Sequence, residues 1–306
     1  MRPIEIWSSA VLVALALATA PAAHAQPVPA PRVMQTPPQA PPPRFTRYAA
    51  IEVQVVNAVA FVRVIPENRS DIALAVINSG PLAAPQVRVA RGRLIIDGQL
   101  RRRVRSCRTG ADGRFDVEVT RVGRLSASQI PTYELRVPQN AVVSTAGAVR
   151  LHVLRSERAR VRVEGCGDAD IDAVATDADI ALSGSPDLRV YEANTATISV
   201  AGAGDVTVGV VRQGLTASIA GAGDLVAARV DGPTNIAVQG AGDVTIRDGR
   251  ATVLSIAIAG SGDVVHNGSA QQLDAAVFGA GDIRVRRVDG QVTRRVLGVG
   301  DVVVGH

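Results

Sequence analysis

The sequence predicts an all-β protein built as a β-solenoid, and three observations carry that prediction. The first is a tetrapeptide that returns. Gly202-Ala203-Gly204-Asp205 is followed by Gly221-Ala222-Gly223-Asp224 and Gly240-Ala241-Gly242-Asp243, then by Gly260-Ser261-Gly262-Asp263, Gly279-Ala280-Gly281-Asp282 and Gly298-Val299-Gly300-Asp301. Gly165-Cys166-Gly167-Asp168 fits the series upstream, and Gly184-Ser185-Pro186-Asp187 is a degenerate copy. From Asp168 onward the aspartates lie 19, 18, 19, 19, 20, 19 and 19 residues apart. A fixed period of this length is the mark of a repeat architecture.

The second observation is a period of two around each motif. Leu182, Val200, Ile219, Val238, Ile258, Val277 and Val296 stand two residues before the first glycine, and Leu188, Val206, Leu225, Val244, Val264, Ile283 and Val302 stand just after the aspartate. Val190, Val208, Ile246, Val285 and Val304 follow two residues later. This alternation is that of strands buried on one face. The third observation is that no window sustains a helical period, and the glycine punctuation opposes helix.

The rest follows in chain order. Residues 1–25 read as a secretory signal: Arg2, an apolar run from Val11 to Leu17, and an Ala23-His24-Ala25 cleavage site before Gln26. The apolar run is too short for a membrane span, and no later stretch approaches one. Residues 26–47 form a proline-rich, disordered linker, with Pro37-Pro38 and Pro41-Pro42-Pro43. Residues 48–164 form a β-rich N-terminal subdomain without the glycine motif. Ile51, Val53 and Val55 alternate there, as do Val59, Phe61 and Ile65 with Arg63 as the polar exception. The segment 87–98, ending in Asp97-Gly98, reads as a hairpin neighbourhood, and 115–119 and 133–137 alternate clearly.

Residues 101–108, Arg-Arg-Arg-Val-Arg-Ser-Cys-Arg, are a basic cluster. A solvated loop is the expected reading, with contact to anionic envelope polysaccharide as the alternative. Nucleic acid is not the expected partner. Aromatic residues for base stacking make up 3% of the chain, and a secretory signal removes it from that compartment. All 33 basic residues are arginine, so the choice of arginine over lysine at any one place carries no information. The two cysteines, Cys107 and Cys166, predict one disulfide, an even count suiting an oxidising compartment.

Residues 165–306 are the repeat solenoid. A unit of 19 residues cannot bury its apolar face alone, whereas stacked copies align like residues at the ~4.8 Å strand spacing. Eight coils would make a rod of roughly 35–40 Å. The glycines Gly202, Gly204, Gly221, Gly223, Gly240, Gly242, Gly260, Gly262, Gly279 and Gly281 are expected at corners, where φ is positive or two backbones approach closely. The aspartates have two readings. Each caps its own corner by accepting bonds from backbone N–H groups. Alternatively, Asp205, Asp224, Asp243, Asp263 and Asp282 form a column of calcium sites, as in β-rolls, whose nine-residue G-G-x-G-x-D period differs from this one.

Repeated G-[AS]-G-D corners behind an alternating β-rich region, on a chain with an export signal, resemble the family of autotransporter adhesin head domains called the GIN domain. The resemblance covers roughly residues 48–304. It implies a right-handed β-helix on an envelope protein and supplies no catalytic residues and no cofactor. The sequence stops after the last repeat without the amphipathic strands of a membrane barrel, so a periplasmic or peripherally envelope-associated location is expected.

Three functions are weighed. A non-catalytic adhesion or binding module on the envelope, contacting envelope polysaccharide or another surface protein, comes first. A structural periplasmic spacer is second, and a polysaccharide-processing enzyme on a β-helix is third. His152, His266 and His306 are far apart, nucleophile motifs are lacking, and His266 is read as a tolerated substitution in or beside the core column. A carboxylate column that recurs in every coil reads as structural, because an active site would single out one coil.

Overall fold

A computed structural model of the chain describes residues 43–109 and 114–305. The signal and most of the proline-rich linker expected from the sequence lie outside the described residues. The fold is all-β, a β-solenoid of about nine coils. Among the described residues, twenty strands join one sheet and three more form a small separate sheet.

Each coil holds two main parallel strands hinged at the glycine motif. Ala178, Ile180 and Leu182 of strand Ala169–Gly184 align with Ala196, Ile198 and Val200 of strand Leu188–Gly202. Those align in turn with Leu215, Ala217 and Ile219 of the next coil. Across the corner, Leu188 and Val190 align with Val206 and Val208, then with Leu225 and Ala227. Every residue in these columns is buried. Each fully buried Val, Leu or Ile contributes about 1.5–3 kcal/mol relative to exposure. The ladders therefore hold the coils together without any one coil having a core of its own.

The parallel stack begins upstream of residue 165. Strand Asn140–Val153 pairs in parallel with strand Arg158–Gly165, placing Gly147 opposite Gly165. It also pairs in parallel with strand Glu52–Glu67, placing Ala58 opposite Gly147. Gly147 is thus the corner glycine of one more coil. It escapes the sequence search because Ala148-Val149-Arg150 follows it in place of x-Gly-Asp. Strand Glu52–Glu67 carries an extra residue between Val55, opposite Thr145, and Ala58, opposite Gly147, and Asn57 there takes a left-handed φ of 48°. That bulge flips the side-chain parity. Val53 and Val55 face the solenoid core before it and Ala60, Val62 and Val64 after it, while Val59 joins a second apolar cluster.

Antiparallel pairs finish the N-terminal end of the stack. Strand Ile72–Asn78 runs antiparallel to Thr132–Pro138, and Gln86–Ala90 antiparallel to Arg93–Asp97. The turn of that second hairpin is Arg91-Gly92, both at positive φ, rather than the Asp97-Gly98 step singled out in the sequence.

The arginine run is not a loop throughout. Its second half belongs to strand Val104–Thr109, which pairs antiparallel with Phe115–Val119, itself paired with Gly123–Leu125. This small sheet packs Phe115, Val117, Val119 and Leu125 against Val59, Leu100, Ile130 and Ala148. Phe61 and Phe115 lie 5.9 Å apart between ring centroids. The solenoid and the small sheet thus have separate cores.

Candidate functional site

The repeated corner is the most chemically regular part of the molecule. At its first glycine the chain needs a backbone that other residues resist: φ is 140° at Gly240, and a Cβ there would run into the Gly221 carbonyl oxygen one coil below. The second glycine serves a different need. Gly242 does not have a positive φ, contrary to the option left open by the sequence, but its Cβ would fall far inside van der Waals distance of the Gly223 carbonyl oxygen. The residue between the glycines donates its N–H to the preceding coil, as Ala241 does to the Gly221 carbonyl at 2.9 Å. Close approach of the two backbones is what makes this bond possible.

The aspartates form a ladder between coils. The backbone N–H of Asp224 donates to Oδ1 of Asp205 at 3.1 Å, that of Asp243 to Asp224 at 2.9 Å, and that of Asp263 to Asp243 at 2.8 Å. Asp282 and Asp301 continue the series at 2.8 and 2.9 Å, and Asp205 donates back to Asp187 at 3.1 Å. The main chain binds in the other sense, with the Val206 N–H donating to the Asp224 carbonyl at 2.7 Å. From Asp187 to Asp282, each carboxylate therefore caps the corner of the next coil, not its own. The N–H it accepts from offsets the charge repulsion within the column. The aspartate capping that looked local in sequence is a tertiary contact between residues about 19 apart.

Two arginines also reach the column. Arg284 lies 2.7 Å from Oδ2 of Asp282 and 3.6 Å from Oδ2 of Asp263, and Arg150 lies 3.2 Å from Oδ2 of Asp168. At Asp187, in the degenerate copy, partial burial pushes the carboxyl above its usual range. The Asp205 N–H opposes the shift, and the charges of Asp168 and Asp205 add to it. Among the described residues no group of three or more His, Cys, Asp or Glu side chains is arranged to hold a metal ion. With Oδ1 of Asp205, Asp224, Asp243, Asp263 and Asp282 already accepting a backbone N–H, a chelator is expected to shift the melting midpoint by less than about 1 °C, a shift smaller than a one-kcal/mol change produces. A calcium-dependent rise of several degrees would establish cation sites instead.

The cysteines are joined. Cys107 and Cys166 form a disulfide with Cα atoms 6.0 Å apart. The bond ties the small sheet to the first complete glycine motif. Beside it the Thr109 hydroxyl donates to Oδ2 of Asp168 at 2.6 Å. A cleft of about 340 Å³ opens at this junction, lined by Thr109, Arg150, Asp168, Asp187, Arg189 and Asp205 among others. It brings together the head of the aspartate ladder and the end of the small sheet, which the sequence alone does not do.

The histidines are not brought together. His152 pairs with Asp172 at 2.8 Å on the surface, and His306 lies outside the described residues. His266 occupies the core column, with Ile246 one coil before it and Val285 one coil after. It is fully buried, and neither ring nitrogen has a hydrogen-bond partner in the protein. Burial pushes the imidazole below its usual range, opposed only in part by nearby backbone of His266 and Gly268 and the charge of Asp248. Because the folded state binds the proton less readily than the unfolded chain, stability falls as pH drops below about 6.5 and levels off below the folded value. His266→Val is expected to raise stability at neutral pH by about 1–3 kcal/mol, the cost of a buried unpaired polar group. It should also flatten the loss between pH 6.5 and 5; urea midpoints at the two pH values would check both effects.

Several arginines of the parallel stack are tied to acids one coil away. Arg158 meets Asp177 at 2.9 Å, Arg160 meets Asp179 at 3.0 Å, and Arg212 meets Glu192 at 2.8 Å. These pairs are exposed and each adds little stability, and they leave an acidic excess on the rod, with ten arginines and seventeen carboxylates over residues 165–306. No helix among the described residues is long and apolar enough to cross a membrane.

Comparison with known proteins places this architecture. A lipid-binding protein from Parabacteroides distasonis, described as putative, is 15% identical, with a TM-score of 0.51 and coverage of 85% of this chain and 96% of that one. At that identity the likeness is one of fold. A "putative adhesin" from Parabacteroides merdae is 14% identical, with a TM-score of 0.43 and coverage of 85% and 95%. No curated protein matches the chain. The family model described as "Putative auto-transporter adhesin, head GIN domain" matches residues 76–229 and 228–305. Those residues carry the small sheet, the disulfide and all the G-x-G-D corners, and this chain belongs to that family.

Proposed function

We propose that the protein is an exported, non-catalytic envelope module that works by presenting a rigid binding surface. The observation that carries this reading is the aspartate ladder. The repeated carboxylates, the most abundant candidates for acid–base chemistry, are engaged from coil to coil in holding corners together. Membership of an adhesin head family agrees with it. The disulfide suits an oxidising compartment, in line with the signal read at residues 1–25. The location proposed is periplasmic or peripheral to the envelope, and the partners are envelope polysaccharide or another surface protein.

The test is capture by the purified protein from isolated envelope fractions. Saturable retention of a wall or outer-envelope component supports the module. Retention no greater than that of an inert protein of like charge leaves a spacer as the better reading. Turnover of an envelope glycan by the purified protein would overturn the non-catalytic assignment.

A further inference from the structure

The positive charge of this protein is densest in one place. Residues 101–125 hold eight arginines and three carboxylates, a net of +5, which equals the net charge of the whole chain. The remaining residues sum to zero only because the repeat solenoid, with ten arginines and seventeen carboxylates over residues 165–306, offsets a basic N-terminal region. The small sheet is therefore the positive pole of a molecule whose repeat solenoid is acidic.

Within that sheet the charge is polarised again. On the outer face, register sets Arg108 opposite Asp116 and Arg124 opposite Glu118. At one end, two turns bring Arg101, Arg102, Arg103, Arg105 and Arg121 around Thr120. The Thr120 N–H donates to the Arg103 carbonyl at 2.8 Å, and Arg105 donates to the Thr120 hydroxyl at 3.2 Å. Arg101, Arg102, Arg105 and Arg121 are exposed, and among the described residues none of them lies within ion-pair distance of a carboxylate. The buried Asp97 feels the charge of Arg101, but its Oδ1 is already taken by the Gln99 N–H at 2.9 Å and the Asn57 amide at 3.1 Å. Arg102 and Arg121 both hold left-handed backbone, with φ of 49° and 68°, where glycine would sit at lower cost.

We propose that this arginine tip is the contact face for an extended anionic glycan, one bearing carboxylates along its length. The proposal rests on the binding-module reading above. A guanidinium presents a planar fork that matches a carboxylate bidentately. The tip is held still by its apolar core and by the Cys107–Cys166 bond, so little order is lost on binding. Phe115, the sheet's aromatic residue, is buried, which removes base stacking as a source of affinity for nucleic acid. Val122 is the large apolar side chain exposed at the tip, too little for membrane insertion.

The test measures binding of the full chain to polygalacturonate, with neutral dextran and phosphatidylglycerol vesicles as parallel probes. The variant is Arg102→Gly with Arg121→Gly, which removes two charges where glycine fits the backbone. A control, Arg158→Gln with Arg160→Gln, removes the same charge from the rod. Binding to polygalacturonate should weaken with salt. The tip variant should lose about tenfold or more in affinity and about two units of the salt slope, one for each charge removed. Its melting midpoint should not fall, and the control should stay within about twofold, since diffuse charge falls off within a Debye length. Equal losses from tip and control, no loss from the tip variant, or binding to vesicles alone would overturn the proposal. If the tip variant still captures an envelope component as wild type does, this face is wrong and the binding module stands. If wild type captures nothing from the envelope, the module reading itself falls.

Discussion

Gly242→Val is expected to cost about 3 kcal/mol or more of folding stability, while Thr245→Val changes it by no more than about 0.5 kcal/mol. The two sites are three residues apart in one coil. Gly242 is buried, and a Cβ there would collide with the Gly223 carbonyl oxygen and press on Cγ2 of Ile219, 3.1 Å away. Neither neighbour can yield cheaply. The Gly223 carbonyl is backbone, and Ile219 is a fully buried member of the ladder. The coils would have to part, which breaks the bond between Ala241 and the Gly221 carbonyl and the cap from Asp243 to Asp224. Thr245 stands on the outward row with Val226 and Val265, where valine is already tolerated on both sides. Equilibrium urea unfolding of both variants checks the pair. Equal midpoints would mean that the second glycine is not a contact between coils.

Removing the disulfide, by Cys107→Ala with Cys166→Ala, is expected to cost about 2–4 kcal/mol. The bond spans 59 residues and ties two separately packed regions. The loss should therefore be local. The small sheet has three strands, held in place by its own cluster and by the junction at Thr109 and Asp168. The solenoid ladders do not pass through it. Hydrogen exchange should show lost protection over Val104–Thr109 and Phe115–Val119, with protection over Leu225–Val230 unchanged. A uniform loss across the rod would show instead that the two cores unfold together. If the arginine tip binds as proposed, the same variant should bind polygalacturonate more weakly, because the tip would no longer be held in place.

How much of this was legible in the sequence depends on the range of the interaction involved. The solenoid was legible because its repeat writes one coil's needs many times over. Val200, Ile219 and Val238 stand at one position in successive copies, and a column of like residues at a period of 19 has few other physical explanations. The upstream coil at Gly147 was not legible. Its motif keeps only the first glycine, whose role in the stack shows in the pairing with Gly165 and Ala58. The phase of strand Glu52–Glu67 was hidden by the bulge at Asn57, since a single extra residue moves every later side chain to the other face.

The sequence by itself determined that the chain is a β-solenoid, where the corners of its glycine–aspartate repeats fall, and that two cysteines were available to pair. Those are consequences of local composition and periodicity, which survive without coordinates. Only the tertiary structure decided which N–H each aspartate accepts, because a carboxylate 19 residues from its donor looks the same in sequence as one capping its own turn. Only the tertiary structure placed His266 in the core between Ile246 and Val285, and gathered Arg101, Arg102 and Arg121 on two facing turns. Burial and charge proximity depend on how coils and sheets stack in space, and a linear pattern records that stacking only where it repeats.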